Sequence, residues 1–272
     1  EQLIIGMYVD DLFVLHSHDD AHSLYQRFTA DLTHTWEAED EGEVSDLLNV
    51  EFTRSSAGVK LSQGGYIDTL VERFCPDGVP LSFHDNQAPA APDLRELVDE
   101  AISEHRKSPA ATAAEVQQFQ CITGALLYAA VNTRPDIALA TGLLCRVMAK
   151  PTPELMQAAI RVVWYLARHR DVGLTYAPDD AALTGLSDSD WATRHSTGGH
   201  VFTYSRAAIT WASKKQPSVA LSSCEAELMA LSEATKEALY LDEFLKELGL
   251  SSGKPISLGC DNQAAGDLAY NP

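Results

Sequence analysis

The sequence predicts a mixed α/β protein, and the order of its apolar patterns is the main reason. From Leu183 onward the pattern predicts three strands, a helix, another strand and a final helix. Upstream, strand-like runs near the beginning give way to segments of helical periodicity between residues 119 and 166. With 272 residues, the chain is long enough for one large domain or two modest ones.

The composition is that of a globular protein with a strong negative charge. The formal net charge is −19, which argues against simple binding to nucleic acid through basic patches. No apolar run approaches the roughly 20 residues that a membrane-spanning helix needs, so we expect no membrane partner. The cysteines form no CxxC pair and are expected to be buried thiols in a reducing compartment. They are Cys75, Cys121, Cys145, Cys224 and Cys260.

The first element is expected to be a β-hairpin. Residues 3–5 and 12–15 are apolar runs, and Asp10 and Asp11 lie between them. Aspartate is well tolerated in a tight turn, so we expect both aspartates at the turn of the hairpin. Taken alone, the Asp-Asp pair is better explained as turn chemistry without a further role, but the flanking Tyr8 and Val9 and the downstream pattern favour a functional role.

Short helices and strands are expected next. Apolar residues at a spacing of four predict a helix over residues 20–32. Strands are expected over residues 44–52 and 59–61, and a helix follows residue 65 and stops before Pro76.

The middle of the chain is expected to be helical after a linker. Residues 76–113 are rich in proline, alanine and acidic side chains, which indicates a loose linker with one helix over residues 93–105. Helices are expected over residues 119–148, broken at residues 133–136, and over residues 153–166. A basic cluster near the end of the last helix is either a solvated face or a contact for a duplex backbone. It comprises Arg161, Arg168, His169 and Arg170.

Three carboxylates at the ends of separate elements form the most informative pattern. Asp188 and Asp190 share one face at the end of an apolar strand. Glu227 lies early in a long helix predicted over residues 223–248, and Asp261 follows another apolar strand. A hydrolase that holds hard divalent cations needs such a set. The position of Asp190 leaves open whether it also contacts metal.

The acidic residues of this pattern have alternative roles. Ser222 and Glu225 fit the capping box S-x-x-E, so Glu225 is assigned to the helix cap. Glu227 lies beside the apolar stripe of the helix, where a buried charge is costly unless a cation compensates it. Its alternative is a surface glutamate, and the alternative for Asp261 is the N-cap of a helix that begins at Asn262.

Several motifs resemble the ribonuclease H domain of Ty1/copia-type retrotransposon Pol polyproteins. They are SDSDWA, the run from STGGHVFTYS to ALYL, and GCDNQAAGDLA. The stretch IIGMYVDDLFVL resembles the polymerase motif of the reverse transcriptase that precedes that domain. The resemblance covers nearly the whole chain, apart from a weak stretch near residues 85–113.

This resemblance assigns roles to five carboxylates. Asp188, Glu227 and Asp261 are the implied catalytic metal ligands of the ribonuclease site. Asp10 and Asp11 are those of the polymerase site, with Asp10 as the stronger ligand. The implied cofactor is Mg²⁺, with Mn²⁺ as an alternative, and the implied reaction is two-metal hydrolysis of RNA in RNA–DNA hybrids.

The resemblance also implies a division of the chain and a set of partners. Residues 1–84 correspond to the C-terminal part of a polymerase palm, 85–115 to a linker and 116–180 to a helical thumb or connection segment. Residues 181–272 correspond to a ribonuclease H-like domain with a mixed sheet, truncated at its C-terminus. The implied partners are RNA–DNA hybrid, template–primer and the rest of the Pol polyprotein. The implied location is intracellular, in cytoplasmic retrotransposon particles or in the nucleus.

The chain departs from the family pattern at two places. Asn49 stands where the loop that grips the primer usually has glycine, although asparagine tolerates positive φ better than most residues. Several residues usually present are missing between Ala192 and Thr193, which shortens a hairpin turn. A second hypothesis is therefore a catalytically inactive folded remnant or interaction module.

The termini lead to a further expectation. The chain begins at the polymerase hairpin without a methionine and ends at Asn271 and Pro272, before the segment that carries a fourth carboxylate in the family. We therefore expect a fragment that does not extend a primer alone, binds one divalent ion and cleaves hybrid poorly or not at all.

Overall fold

The computed structural model describes residues 2–17, 23–36, 38–84, 88–103, 111–178, 182–191 and 195–270. Helices and strands are mixed along the chain, and the predicted α/β class is confirmed. The chain divides into two compact units, Glu1–Leu47 and Leu48–Pro272. The boundaries of the four functional segments proposed above stay predictions. Within the described ranges, no helix is apolar over a long enough stretch to cross a membrane.

The first unit begins with the predicted hairpin. Strand β1, Leu3–Tyr8, is antiparallel to strand β2, Asp11–His16. The turn consists of Val9, which has a φ of 52°, and Asp10. Asp11 is the first residue of β2, so only one of the two aspartates expected at the turn is a turn residue.

Helix α1, Leu24–Trp36, and the two-residue strand β3, Asp46–Leu47, complete the first unit. The helix was expected over residues 20–32, of which residues 20–22 lie outside the described residues. Its end lies beyond the predicted one. Residues 33–36 are exposed, although Trp36 continues the apolar spacing of four that marks the helix.

The second unit begins with a left-handed turn at Leu48 and Asn49, whose φ values are 54° and 60°. The expectation that Asn49 supports a positive φ is confirmed. The single strand expected over residues 44–52 is wrong, because this turn interrupts it before strand β4, Val50–Ser55. Leucine rarely adopts such a φ, so composition does not predict the break.

A small antiparallel sheet joins distant parts of the second unit. Strand β4 pairs with β5, Gly58–Ser62, and β5 pairs with β6, Leu174–Tyr176. Gly58 has a φ of 128°, and an added Cβ would lie 1.9 Å from the carbonyl oxygen of Tyr176. Glycine is therefore required for the close approach of these strands.

The helices after β5 share one hydrophobic core. Their bounds are α2, Gly64–Phe74; α3, Leu94–Ser103; α4, Ala113–Asn132; α5, Ala138–Cys145; and α6, Pro153–Arg168. A 3₁₀ turn at Pro135–Ile137 separates α4 from α5, as predicted. Leu94 and Val98 of α3 are buried in the core, so this part of the predicted linker is packed rather than loose.

Two arginines of the basic cluster near the end of α6 form contacts within the protein. Arg170 forms a two-pronged ion pair with Asp68 at 2.7 and 2.6 Å. Arg161 donates to the carbonyl oxygen of Ala88 and lies over the ring of Phe83. These contacts favour a structural role for both arginines over a role as backbone contacts for a duplex.

The last part of the chain forms a mixed sheet covered by a long helix. The elements are β7, Thr184–Asp190; β8, Thr197–Tyr204; β9, Ala207–Lys215; α7, Ser223–Glu247; β10, Ser257–Cys260; and α8, Gln263–Tyr270. The strand order is β10-β7-β8-β9, with β10 parallel to β7 and the other pairs antiparallel. The predicted order of strands and helices is confirmed. The shortened turn after Ala192 lies outside the described residues.

Small side chains let α7 lie close to this sheet. Ala226, Ala230, Ala234 and Ala238 recur every four residues and are buried. An added Cβ at Gly198 of β8 would lie 3.3 Å from the Cβ of Ala230. The beginning of α7 is thereby held near the adjacent ends of β7 and β10.

Candidate metal centre

Glu227 is the buried carboxylate of this region. Its side chain lies in the second turn of α7, and the residue is only 4 % exposed. Its Oε1 accepts a hydrogen bond from the backbone N–H of Ser189 at 3.2 Å. The alternative of a surface glutamate is therefore wrong.

Asp261 and Cys260 lie beside Glu227. Cys260 ends β10, and Asp261 follows it directly. The Sγ of Cys260 lies 3.7 Å from Oε2 of Glu227. Potential ligand atoms of Glu227, Cys260 and Asp261 all lie within 4.8 Å of one another. The structure thus brings together two of the three predicted ribonuclease ligands, with a thiol that was not predicted.

Asp188 does not belong to this close group. Burial alternates along β7: Gly185 and Ser187 are buried on the side of α7, whereas Leu186 and Asp188 are exposed. The side chain of Asp188 therefore projects from the outer face of the strand. It remains close enough that its charge acts on Glu227.

Burial raises the pKa of Glu227 above its ordinary value of 4.5, and the negative charges of Asp188 and Asp261 add to the increase. The hydrogen bond from Ser189 and the contact with Cys260 act in the opposite direction without cancelling it. A carboxylate in this position gains from a nearby cation, because a cation offsets both the burial and the repulsion.

Asp190 has a structural role. It forms an ion pair with Arg95 of α3, and its Oδ1 accepts a hydrogen bond from the backbone N–H of Thr197 at 2.5 Å. Arg146, directly after α5, donates to the hydroxyl of Thr197 at 3.0 Å. These contacts tie the end of β7 to the helical core and give Asp190 a structural role.

The capping contacts of α7 and α8 show which of the acidic residues Glu225 and Asp261 serves as a helix cap. Ser222 caps α7 by accepting from the N–H of Glu225, and Glu225 accepts from the N–H of Leu221 at 2.6 Å. The capping role of Glu225 is confirmed, with Leu221 as the donor in place of the cap residue. Helix α8 is capped by Asn262, which accepts from Ala265 at 3.0 Å. Asp261 is therefore not the N-cap.

Cys260, Ser187 and Gln216 were missed by the sequence reasoning. Cys260 could have been found from its place at the end of an apolar strand directly before Asp261. Gln216, directly after β9, donates to the hydroxyl of Ser189 in β7 and to the carbonyl oxygen of Ala226 in α7, so it links the strand end to the start of the helix. No local pattern predicts them, because the partners come from separate elements.

Asp10 and Asp11, the predicted polymerase ligands, belong to the first unit. Both are exposed at one end of the hairpin, beside Tyr8 and Val9, which are 57 % and 78 % exposed. The hairpin thus presents two adjacent carboxylates at its solvent-accessible end, one in the turn and one at the start of β2.

Comparisons with curated proteins give transposon relatives along nearly the whole chain. It is 33 % identical to the retrovirus-related Pol polyprotein from transposon TNT 1-94 of Nicotiana tabacum, over 99 % of the chain and 20 % of the relative. Identity to the Pol polyprotein from transposon RE1 of Arabidopsis thaliana is 30 %, over 98 % of the chain and 17 % of the relative. The putative transposon Ty5-1 protein of Saccharomyces cerevisiae is 31 % identical over 86 % of the chain and 73 % of the relative.

The chain spans about a fifth or less of the length of the two Pol relatives. No protein-family model matches it. Among solved structures, a foamy viral protease-reverse transcriptase in complex with double-stranded DNA matches 98 % of the chain and 41 % of its own length, with a TM-score of 0.53 and 15 % identity. A foamy viral protease-reverse transcriptase in complex with RNA/DNA hybrid matches 98 % of the chain and 31 % of its own, with a TM-score of 0.50 and 14 % identity.

Proposed function

The chain belongs to the Pol polyproteins of copia-type retrotransposons, and on that premise we propose that its C-terminal part hydrolyses the RNA strand of RNA–DNA hybrids. The observation that carries this proposal is the burial of the Glu227 carboxylate beside Asp261, the residue that follows β10. The carboxylate of Asp188 comes from the adjacent strand β7.

The residues present fit a hard divalent cation. Glu227 and Asp261 supply carboxylate oxygens, which Mg²⁺ prefers, and Mg²⁺ needs only one or two of them together with water. Burial and the nearby acidic groups raise the pKa of Glu227, and a bound cation would offset both. Magnesium, when bound, supplies the positive charge that activates water and stabilises the leaving oxygen of the scissile phosphate.

The roles of the protein groups follow from their positions. Glu227 is held by the N–H of Ser189 and is screened from solvent, which fixes one ligand oxygen. Asp261 is exposed and accessible to substrate. Asp188 is exposed on the adjacent strand, near enough for its charge to act on Glu227, and is the proposed third carboxylate. Selectivity for hybrid is expected to come from contacts with the 2′-hydroxyls of the RNA strand.

Residues 1–84 are proposed to be a remnant of the palm of an RNA-directed DNA polymerase. Its support is the hairpin that presents Asp10 in the turn and Asp11 at the start of β2. Template–primer and the remainder of Pol are the proposed partners. The foamy viral structures with double-stranded DNA and with RNA/DNA hybrid are consistent with partners of this class.

A second candidate function is a folded remnant without turnover. The observation that favours it is the outward position of Asp188, which leaves Glu227 and Asp261 as the close pair of predicted ligands. The two candidates differ in whether Asp188 affects a chemical step.

The test is cleavage of a labelled RNA–DNA hybrid by the 272-residue chain with Mg²⁺ or Mn²⁺. The proposal predicts slow cleavage of the RNA strand by this chain, which Asp188→Asn and Glu227→Gln should each reduce by at least about a hundredfold, in line with loss of a group acting on the transition state. Duplex DNA is the control substrate and should stay intact.

Glu225→Gln is the matched control variant, because Glu225 serves the helix cap. It should cleave at nearly the rate of the unaltered chain. Folded protein without cleavage in either metal would support the remnant, and equal losses in all three variants would contradict the assigned roles.

A further inference from the structure

Cys260 is the group in the metal centre that the proposed hydrolysis does not use. Its Sγ lies 3.7 Å from Oε2 of Glu227, and both groups lie within 4.8 Å of a carboxylate oxygen of Asp261. Sulfur offers little to Mg²⁺, which prefers oxygen ligands. Thiolate together with carboxylate suits Zn²⁺ and similar thiophilic ions.

The hydroxyl of Ser187 gives a second, independent indication of a bound group. Ser187 is 5 % exposed, and its Oγ is buried with no hydrogen-bond partner among the residues that the structure describes. Ser187 pairs in register with Cys260 across parallel strands β7 and β10, so both side chains project from the same face of the sheet. That face carries Glu227, because the thiol of Cys260 contacts it. Buried hydroxyls are normally satisfied, so this one is expected to bond to a ligand or to its water.

We propose that Cys260, Glu227 and Asp261 form a site for a thiophilic divalent ion such as Zn²⁺, which competes with Mg²⁺ for the two carboxylates. Binding forms a bond between the metal and the Cys260 sulfur and releases the thiol proton to solvent. The hydroxyl of Ser187 orients a water on the ion. The consequence for hybrid cleavage, inhibition by Zn²⁺, rests on the proposed function, whereas the binding itself does not.

Cobalt is the probe for this site, because Co²⁺ takes zinc positions and gives a near-ultraviolet charge-transfer absorption when it binds thiolate. The metal-stripped 272-residue chain is titrated with Co²⁺. We expect the thiolate absorption to saturate at one ion per chain, to disappear on addition of Zn²⁺, and to need higher Co²⁺ when Mg²⁺ is in large excess.

Two cysteine variants make the assignment specific. Cys260→Ser should lose the thiolate absorption, and Cys260→Ala serves as a second variant with circular dichroism as the check on folding. Cys224→Ser is the matched control, because Cys224 lies on α7 but outside the close group. It should keep the absorption. Absorption that persists in folded Cys260→Ser, or no absorption in the unaltered chain, overturns the proposal.

Ser187→Ala tests the second observation. It should weaken Co²⁺ binding by roughly tenfold, the effect typical of groups that orient a metal ligand or its water. Unchanged affinity would remove Ser187 from the site. A Cys260-dependent absorption in a chain that does not cleave hybrid with Mg²⁺ would count against the proposed function and in favour of the thiophilic site.

Discussion

Glu225 and Glu227 lie two residues apart on α7 but have different structural roles. Glu227 is buried against the strand ends, and Glu225 reaches back to the N–H of Leu221. We expect Glu227→Gln to weaken Mn²⁺ binding by about tenfold or more, since it removes a ligand oxygen that even supporting groups influence to that extent. Glu225→Gln should leave Mn²⁺ binding unchanged and cost at most about 1 kcal/mol of stability. Calorimetric titration of both variants measures this, and equal losses would reverse the assignment.

The raised pKa of Glu227 also predicts how stability depends on pH without metal. Between the ordinary pKa of 4.5 and the higher folded-state pKa, the folded protein binds more protons than the unfolded chain. The contribution of Glu227 to the free energy of unfolding is therefore present below this window and is lost as pH rises through it.

Urea unfolding in the presence of a metal chelator, at a series of pH values from 4.5 upward, tests whether the free energy of unfolding falls as the pH rises. Glu227→Gln should flatten the curve and be at least as stable as the unaltered chain at neutral pH. Glu225→Gln is the control and should keep the slope. A steeper loss of stability in Glu227→Gln would contradict the assigned direction.

At the scale of elements, the contact between β7 and β8 depends on a missing side chain. An added Cβ at Gly185 would lie 2.3 Å from the ring of Phe202, which is fully buried and has no room to move. We expect Gly185→Ala to cost about 1–3 kcal/mol, as overpacking of a core does. Gly124→Ala is the matched control: it lies on the exposed face of α4 with open space, and should stabilise by about 0.5–1 kcal/mol. Chemical denaturation of both variants compares the two effects.

The elements also show what the sequence could and could not predict. The buried position of Glu227 and the place of Asp261 after a strand follow from local periodicity. The pairing of Asp190 with Arg95 does not, because the two residues come from distant elements and carry no shared pattern. The break at Leu48 was missed for a different reason: its positive φ is imposed by context against the preference of leucine.

On the scale of the whole second unit, side-chain contacts join the helical core to the C-terminal sheet. The indole N–H of Trp211 in β9 donates to the carbonyl oxygen of Ala130 in α4 at 2.7 Å. Arg95 and Arg146 both donate to Thr197 from helices of the core. We therefore expect the two parts to unfold in one transition.

Variants of the full chain that keep a single tryptophan test whether the helical core and the sheet unfold together. Trp164 reports on the core helix α6, and Trp211 reports on the sheet. The two fluorescence midpoints in urea should coincide. Midpoints that differ clearly would show that the core and the sheet unfold separately.

The small sheet of β4, β5 and β6 has a consequence for synthesis on the ribosome. Its third strand pairs with β5 from far along the chain, and the adjoining contact from Lys60 to the carbonyl oxygen of Asp171 spans 111 residues. When β5 leaves the exit tunnel, its partner has not yet been translated, and one row of its backbone N–H and C=O groups stays open. Such an open edge recruits other strands, so nascent chains paused before residue 174 are expected to be the most prone to aggregate.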